Sequence, residues 1–132
     1  MAILGITEAF GKYGATLRNP QWSVSAWAPD GALVVSVWAH HRQPSAPGTM
    51  EFVDSMERWR GPGNAELRRN VAEAHATKAP LRLVIARSDN SAHGQSGEDA
   101  GRVRKEYFVR EDLVGEIAVL QGETVVFRFR RA

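Results

Sequence analysis

The chain has 132 residues, 43% of them hydrophobic, which is enough for one domain, residues 1–132, to bury a single core. It has no cysteine and no run near the ~18 apolar residues that span a bilayer, which excludes disulfides, thiolate zinc sites, cysteine nucleophiles and a membrane partner, and agrees with a cytoplasmic location. The formal net charge is +2, and residues 67–132 carry twelve Lys/Arg against nine Asp/Glu, whereas residues 1–66 carry five against six.

The N-terminal third predicts a helix followed by a β-hairpin. Apolar residues at helical spacing indicate a first helix over Ile3–Tyr13, and Asn19-Pro20 ends it. Gln21–Ala28 then alternates as a strand, and Pro29-Asp30-Gly31 supplies a tight turn into a second strand that ends at Trp38.

The register of this hairpin follows from its turn. If Ala28 faces Ala32, Ala26 lies opposite Val34 and Trp22 lies opposite Trp38 on one face of the sheet. The other face then carries Trp27, Leu33, Val35 and Val37. Because both faces are partly apolar, we expect a helix on one side and either other structure or a partner on the second.

The middle of the chain predicts one strand and one helix after an exposed loop over Arg42–Thr49. A third strand covers Met50–Asp54 and extends the hairpin into a meander. Asn64 is the expected N-cap of a second helix that runs to Lys78.

The sequence of the C-terminal half predicts a series of strands. Leu81–Ser88 is predicted to be a central strand because its apolar run is nearly continuous. A mobile loop is expected over Ser88–Gly101, then a strand over Val103–Arg110 and a closing hairpin of Ile117–Leu120 with Thr124–Arg130. The predicted fold is α+β, an antiparallel sheet of about six to seven strands packed against two helices in the order α-βββ-α-ββββ.

No motif specifies a reaction, and we expect neither a metal nor another cofactor. None of the three lysines follows an acidic residue by two positions, as the PD-(D/E)xK nuclease pattern requires, and no P-loop or serine nucleophile elbow is present. The alternative site is the adjacent pair His40 and His41 with Asp54, in which a histidine would act as general base of a small metal-dependent hydrolase or nuclease. A water-exposed histidine pair at the end of a strand is the simpler interpretation.

The C-terminal hairpin is the more suggestive feature. Arg128 and Arg130 alternate with Phe127 and Phe129, so the two arginines project from one face and suit phosphate contacts along a nucleic-acid backbone. Arg104 and Lys105 lie on the neighbouring strand, and Trp27 is the tryptophan best placed to contact a base. An edge strand with phenylalanines in the core and arginines in water would show the same pattern.

The segment Arg18-Asn19-Pro20-Gln21-Trp22-Ser23, with Asp30-Gly31 and the strand ending at Trp38, resembles the N-terminal accessory module of some bacterial HNH-type restriction endonucleases. The resemblance covers the first third of the chain and implies a non-catalytic module that helps engage DNA. The chain departs from that arrangement because it carries no HNH metal motif.

The sequence therefore predicts a small, non-catalytic binding module whose partner is DNA or RNA, contacted by Arg128, Arg130, Arg104, Lys105 and Trp27. The alternative is a protein-interaction or oligomer-forming subunit, in which another protein or a second copy covers the apolar hairpin.

Overall fold

The computed structural model describes residues 4–58, 61–88 and 105–132. It contains two α-helices and eight strands, so four strands rather than three precede the second helix. Their bounds are α1 Ile6–Gly11, β1 Ser25–Trp27, β2 Leu33–Trp38, β3 Arg42–Gln43, β4 Thr49–Ser55, α2 Gly61–Thr77, β5 Leu81–Ser88, β6 Lys105–Val109, β7 Leu113–Gln121 and β8 Thr124–Arg131. The loop expected over Ser88–Gly101 lies almost wholly outside the described residues.

The first hairpin forms in the predicted register. The Ala28 amide donates to the Ala32 carbonyl at 2.8 Å, and Ala26 pairs with Val34. Gly31 takes a φ of +92°, which glycine adopts without steric cost. The expected pairing of Trp22 with Trp38 is wrong, because β1 begins only at Ser25 and Trp22 lies in the preceding turn.

Helix α2 begins at Gly61, three residues before the expected cap at Asn64. At its other end Lys78 adopts a φ of +56°, and the Ala79 amide donates to the Ala74 carbonyl at 2.9 Å. This is the bond of a Schellman motif, which ends the helix and turns the chain toward Pro80. Lys78 is thereby placed directly before β5.

The sheet is mostly antiparallel but is not the expected meander. Its strand order is β1-β2-β5-β7-β8-β4-β3, with β6 also paired to β5. Strand β4 pairs with β8 instead of β2, while β2 and β5 form a parallel pair. The prediction that β5 is central is confirmed, because it lies between β2 on one side and β6 and β7 on the other.

The sheet curls around α2. Strands β2 and β3 lie near opposite ends of the strand order, yet they are joined only by Ala39–His41, a single 3-10 turn. Three residues reach roughly 10 Å, so the two ends of the sheet must approach each other. One apolar cluster accordingly joins α2 to strands from both ends of the order: Leu33, Val35, Val37, Phe52, Leu67, Val71, Ala74, Leu81, Leu83, Leu113, Val125, Phe127 and Phe129.

A second cluster covers the opposite face of β1, β2, β5 and β6, where α1 packs with Phe10 fully buried. The expectation that both faces of the hairpin are covered is thus confirmed. The closing hairpin of β7 and β8 also forms, with a bulge between Ile117 and Val119. In the described ranges no helix is both long and apolar enough to cross a lipid bilayer.

Candidate functional site

The arginines of β8 lie on one face of the sheet and the phenylalanines on the other. Phe127 and Phe129 are 2% and 0% exposed and pack against α2. Arg128 and Arg130 alternate with them and therefore project from the face turned away from α2, here called the outer face. The core interpretation of the phenylalanines is confirmed, although β8 is an interior strand rather than an edge strand.

A shallow cavity of about 220 Å³ opens where β7 and β8 meet the end of α2. Pairing of Leu81 with Gly115 brings the segment before β5 beside β7 and so builds this cavity. We call it the basic cavity; it is lined by Lys78, Ala79, Pro80, Val114, Gly115, Glu116, Arg128 and Arg130.

Arg128 belongs to a polar row that crosses four strands on the outer face. Gln43, Glu51, Arg128 and Glu116 are successive cross-strand partners. The Arg128 Nε donates to Glu51 Oε2 at 2.6 Å, and Gln43 Nε2 donates to Glu51 Oε1 at 3.0 Å. The hydrogen bonds from Arg128 and then Gln43 lower the pKa of the Glu51 carboxyl, and the same bond to Glu51 raises the pKa of Arg128.

Arg130 is placed differently. It is exposed, lies opposite Thr49 and Val114, and forms no ion pair with another residue of the described part of the chain. Lys78 is likewise exposed at the rim of the basic cavity. These two cations are thus more accessible to an anion than Arg128.

Nothing in the sequence marks Lys78, Glu51 and Glu116 as residues of this site. The Lys78-Ala79-Pro80 sequence signals a helix end, but the approach of Lys78 to β8 depends on the β5–β7 pairing. The contact of Glu51 with Arg128 depends on the β4–β8 register, for which no local signal exists.

Trp27 does not join this site. It packs against the cluster on the α2 side of the sheet, and its indole Nε1 donates to Asn70 Oδ1 at 3.2 Å. The structure therefore places Trp27 on the face opposite Arg128 and Arg130.

Lys105 also lies elsewhere. It pairs with Ser88 at the end of β5, whereas the basic cavity lies at Leu81, roughly 23 Å away along the strand. Its Nζ is 5.9 Å from the centre of the Trp38 ring, within reach of a cation–π contact. Arg104 lies outside the described residues.

The alternative residues do converge, into what we call the histidine cluster: Trp38, His40, His41 and Asp54. The rings of His40 and His41 meet edge to face at 4.5 Å, and His40 lies 5.7 Å from Trp38. His41 Nδ1 is 3.7 Å from Asp54 Oδ2, which is ion-pair range for a protonated imidazole but longer than a hydrogen bond.

Two features of the histidine cluster differ from the simplest expectation. The histidines sit in a 3-10 turn after β2 has ended, and the His41 side chain is only 9% exposed. Within the described ranges, no group of three or more metal-ligating side chains converges on one point.

Comparison of the chain with protein-family models, with curated proteins and with solved structures finds no match in any of the three.

Proposed function

We propose that the protein is a small non-catalytic binding module that contacts the phosphates of DNA or RNA through the basic cavity. The observation that carries the proposal is the convergence of Lys78, Arg128 and Arg130, from two distant parts of the sequence, on one cavity of the outer face. Phosphate contacts of this kind supply most of the affinity of sequence-independent binding. The proposal agrees with what the resemblance of Arg18–Ser23 to a DNA-engaging accessory module implies.

Lys78 and Arg130 are assigned the phosphate contacts, and Arg128 a supporting one. The guanidinium of Arg128 already donates to Glu51, so a phosphate would have to share it. Arg130 and Lys78 have no such competitor within the described residues. Because Trp27 lies on the other face, it is not part of the interface.

The test is fluorescence anisotropy with labelled single-stranded and duplex oligonucleotides across a salt series. Arg130→Glu and Lys78→Glu are expected to weaken binding by about tenfold or more and to make its salt dependence shallower by about one counterion each. Arg69→Glu is the matched control, because Arg69 is an exposed arginine on α2 with the same charge change. Reversal of Arg128 is avoided, since it would place a third carboxylate beside Glu51 and Glu116.

Equal losses of affinity in Arg69→Glu and Arg130→Glu would show that binding depends on net charge alone. The assignment of the interface to the basic cavity would then be wrong. Absence of any binding at low salt would overturn the proposal and leave the protein-interaction or oligomer alternative. Sedimentation across a concentration series would then test self-association.

A second candidate function rests on the 3.7 Å approach of His41 to Asp54. In a small hydrolase, Asp54 would orient the imidazole and His41 would take a proton from an attacking water. Turnover of ester or phosphodiester substrates should then be lost in His41→Ala and retained in His75→Ala, a change of an exposed histidine on α2. Turnover that is absent, or equal in the two variants, would reject this function.

A further inference from the structure

The basic cavity contains one carboxylate that a simple phosphate pocket would not include. Glu116 lines it together with Lys78, Arg128 and Arg130. Its cross-strand partner is Arg128, but the Arg128 Nε donates to Glu51 on the other side. Within the described parts of the chain, the Glu116 carboxylate forms no side-chain hydrogen bond and no ion pair within 4 Å, and it acts on Arg128 only through the attraction between their charges. The exposed Glu116 carboxylate is therefore a hydrogen-bond acceptor among the three cationic donors of the basic cavity.

The size and walls of the cavity limit what it can hold. At about 220 Å³ it is smaller than the ~300–1,000 Å³ of pockets for drug-sized ligands, so it suits one ring or one phosphoryl group. Ala79, Pro80 and Val114 give it apolar wall, and Gly115 contributes backbone alone. Apolar wall suits the face of a planar ring better than it suits a phosphate.

We infer that the cavity reads one nucleobase that carries an exocyclic amine, with Glu116 accepting from the amine and Lys78 and Arg130 contacting the flanking phosphates. This inference rests on the proposed function. The Watson–Crick edge of cytosine presents its N4 amine beside the N3 acceptor, that of adenine presents N6 beside N1, and that of guanine presents N2 beside N1–H. A carboxylate is a suitable acceptor for such an amine.

Thymine and uracil offer Glu116 no amine, and their only donor on this edge is the ring N3–H, so we expect them to bind more weakly. Their O4 carbonyl takes the position of the cytosine amine, so two acceptors would face each other at Glu116. The cost is that of an unmade hydrogen bond together with repulsion between two oxygens. Glu116 would therefore determine which base binds, and Lys78 and Arg130 would supply most of the affinity for the strand.

The experiment compares short labelled homopolymers of deoxycytidine, deoxyadenosine and thymidine at one salt concentration. The intact protein is expected to bind the cytosine and adenine strands about tenfold more tightly than the thymine strand. In Glu116→Gln the side-chain amide can both donate and accept, so binding of the thymine strand should rise until the preference is lost. Glu73→Gln, on the exposed side of α2, is the matched control and should keep the preference.

The outcomes separate the two proposals. Equal binding of all three homopolymers that still depends on Arg130 would overturn the base assignment and keep the phosphate interface. A preference unchanged in Glu116→Gln would also overturn it. Binding of none of the strands would contradict both proposals, and far-UV circular dichroism of each variant shows whether it is folded.

Discussion

Arg128 and Arg130 are two residues apart on one strand and yet differ in how freely each can meet a ligand. Arg128 is held between Glu51 and Glu116, whereas Arg130 lies opposite Thr49 and Val114. The alternation of arginine and phenylalanine made the two arginines equivalent in the sequence. The neighbouring strands make them different, because they decide which guanidinium is neutralised.

The lowered pKa of Glu51 leads to a prediction about acid stability. A carboxyl whose pKa is lower in the folded state contributes stability that is present above its ordinary value of 4.5 and is lost as the pH falls through the folded value. Glu51→Gln should therefore be less stable than the intact protein at neutral pH, and the gap should close as the solution is acidified below that ordinary value.

Urea unfolding of both proteins over a pH series measures this gap. Glu73→Gln is the control, because no residue of the described chain bonds its carboxylate. A gap between Glu51→Gln and the intact protein that stays constant or widens on acidification would contradict the assigned role of the Arg128 hydrogen bond.

Gly63 is the tightest point between α2 and the N-terminal segment. A Cβ built on it would lie 1.9 Å from the Trp22 carbonyl oxygen and 2.9 Å from its carbonyl carbon, so backbone would have to move. We expect Gly63→Ala to destabilise the fold by about 1–3 kcal/mol or more. Gly11→Ala, with nothing within 4 Å of its Cβ, should be neutral or slightly stabilising in α1. Chemical denaturation measures the free energy of unfolding of both variants. An unchanged stability in Gly63→Ala would contradict the close contact between Gly63 and Trp22.

Among the elements, α2 is linked to the first hairpin by two hydrogen bonds of one side chain, in addition to the apolar cluster that they share. Asn70 donates from Nδ2 to Ser25 Oγ at 2.9 Å and accepts at Oδ1 from Trp27 Nε1 at 3.2 Å. Ser25 is 1% exposed, so Asn70→Ala would leave a buried hydroxyl and an indole N–H without their partner. We expect a loss of about 1–3 kcal/mol and a shift of tryptophan fluorescence.

Thermal unfolding followed by fluorescence measures both effects of Asn70→Ala. Arg69→Ala is the adjacent control, because Arg69 is exposed on the same helix. Equal small losses in the two variants would show that the Asn70 bridge does not hold α2 to β1.

Elements whose signals are local could be predicted from the sequence, and their long-range pairing could not. The turn at Pro29–Gly31 set the register of β1 and β2, and the apolar run at Leu81–Ser88 identified a central strand. The pairing of β4 with β8 brings together residues that are far apart in the sequence, as the separation of 77 positions between Glu51 and Arg128 shows. Alternation in each strand reports its buried face but not its neighbour.

In the candidate site, too, the locally determined features could be predicted from the sequence and the long-range contacts could not. The shared face of Arg128 and Arg130 follows from the two-residue period of a strand, and this much was predicted. Glu116 joins them through the pairing of β7 with β8, and Lys78 joins them only because β5 meets β7 at Leu81 and Gly115. The sequence groups Trp27 with the arginines as the tryptophan best placed for exposure, because it shares its strand face with Ser23 and Ser25, but Trp27 packs against the α2 side of the sheet.

For the whole molecule, two apolar clusters share the same two strands. Along β2, Leu33 and Val35 face the α2 cluster and Val34 faces the α1 cluster, and along β5 the same holds for Leu83 and Val84. If β2 and β5 unfold, the buried residues of both clusters become exposed to solvent together. We therefore predict that residues on both faces unfold in one cooperative transition.

Phe10→Leu in the α1 cluster and Phe129→Leu in the α2 cluster are matched changes of fully buried residues that test this coupling. Each should cost about 1–3 kcal/mol and lower the Tm by about 3–5 °C per kcal/mol. Far-UV circular dichroism and tryptophan fluorescence should report one coincident midpoint in each variant. If Phe10→Leu moved the circular dichroism midpoint and left the fluorescence midpoint in place, the α1 face would unfold on its own and the shared strands would not couple the two clusters.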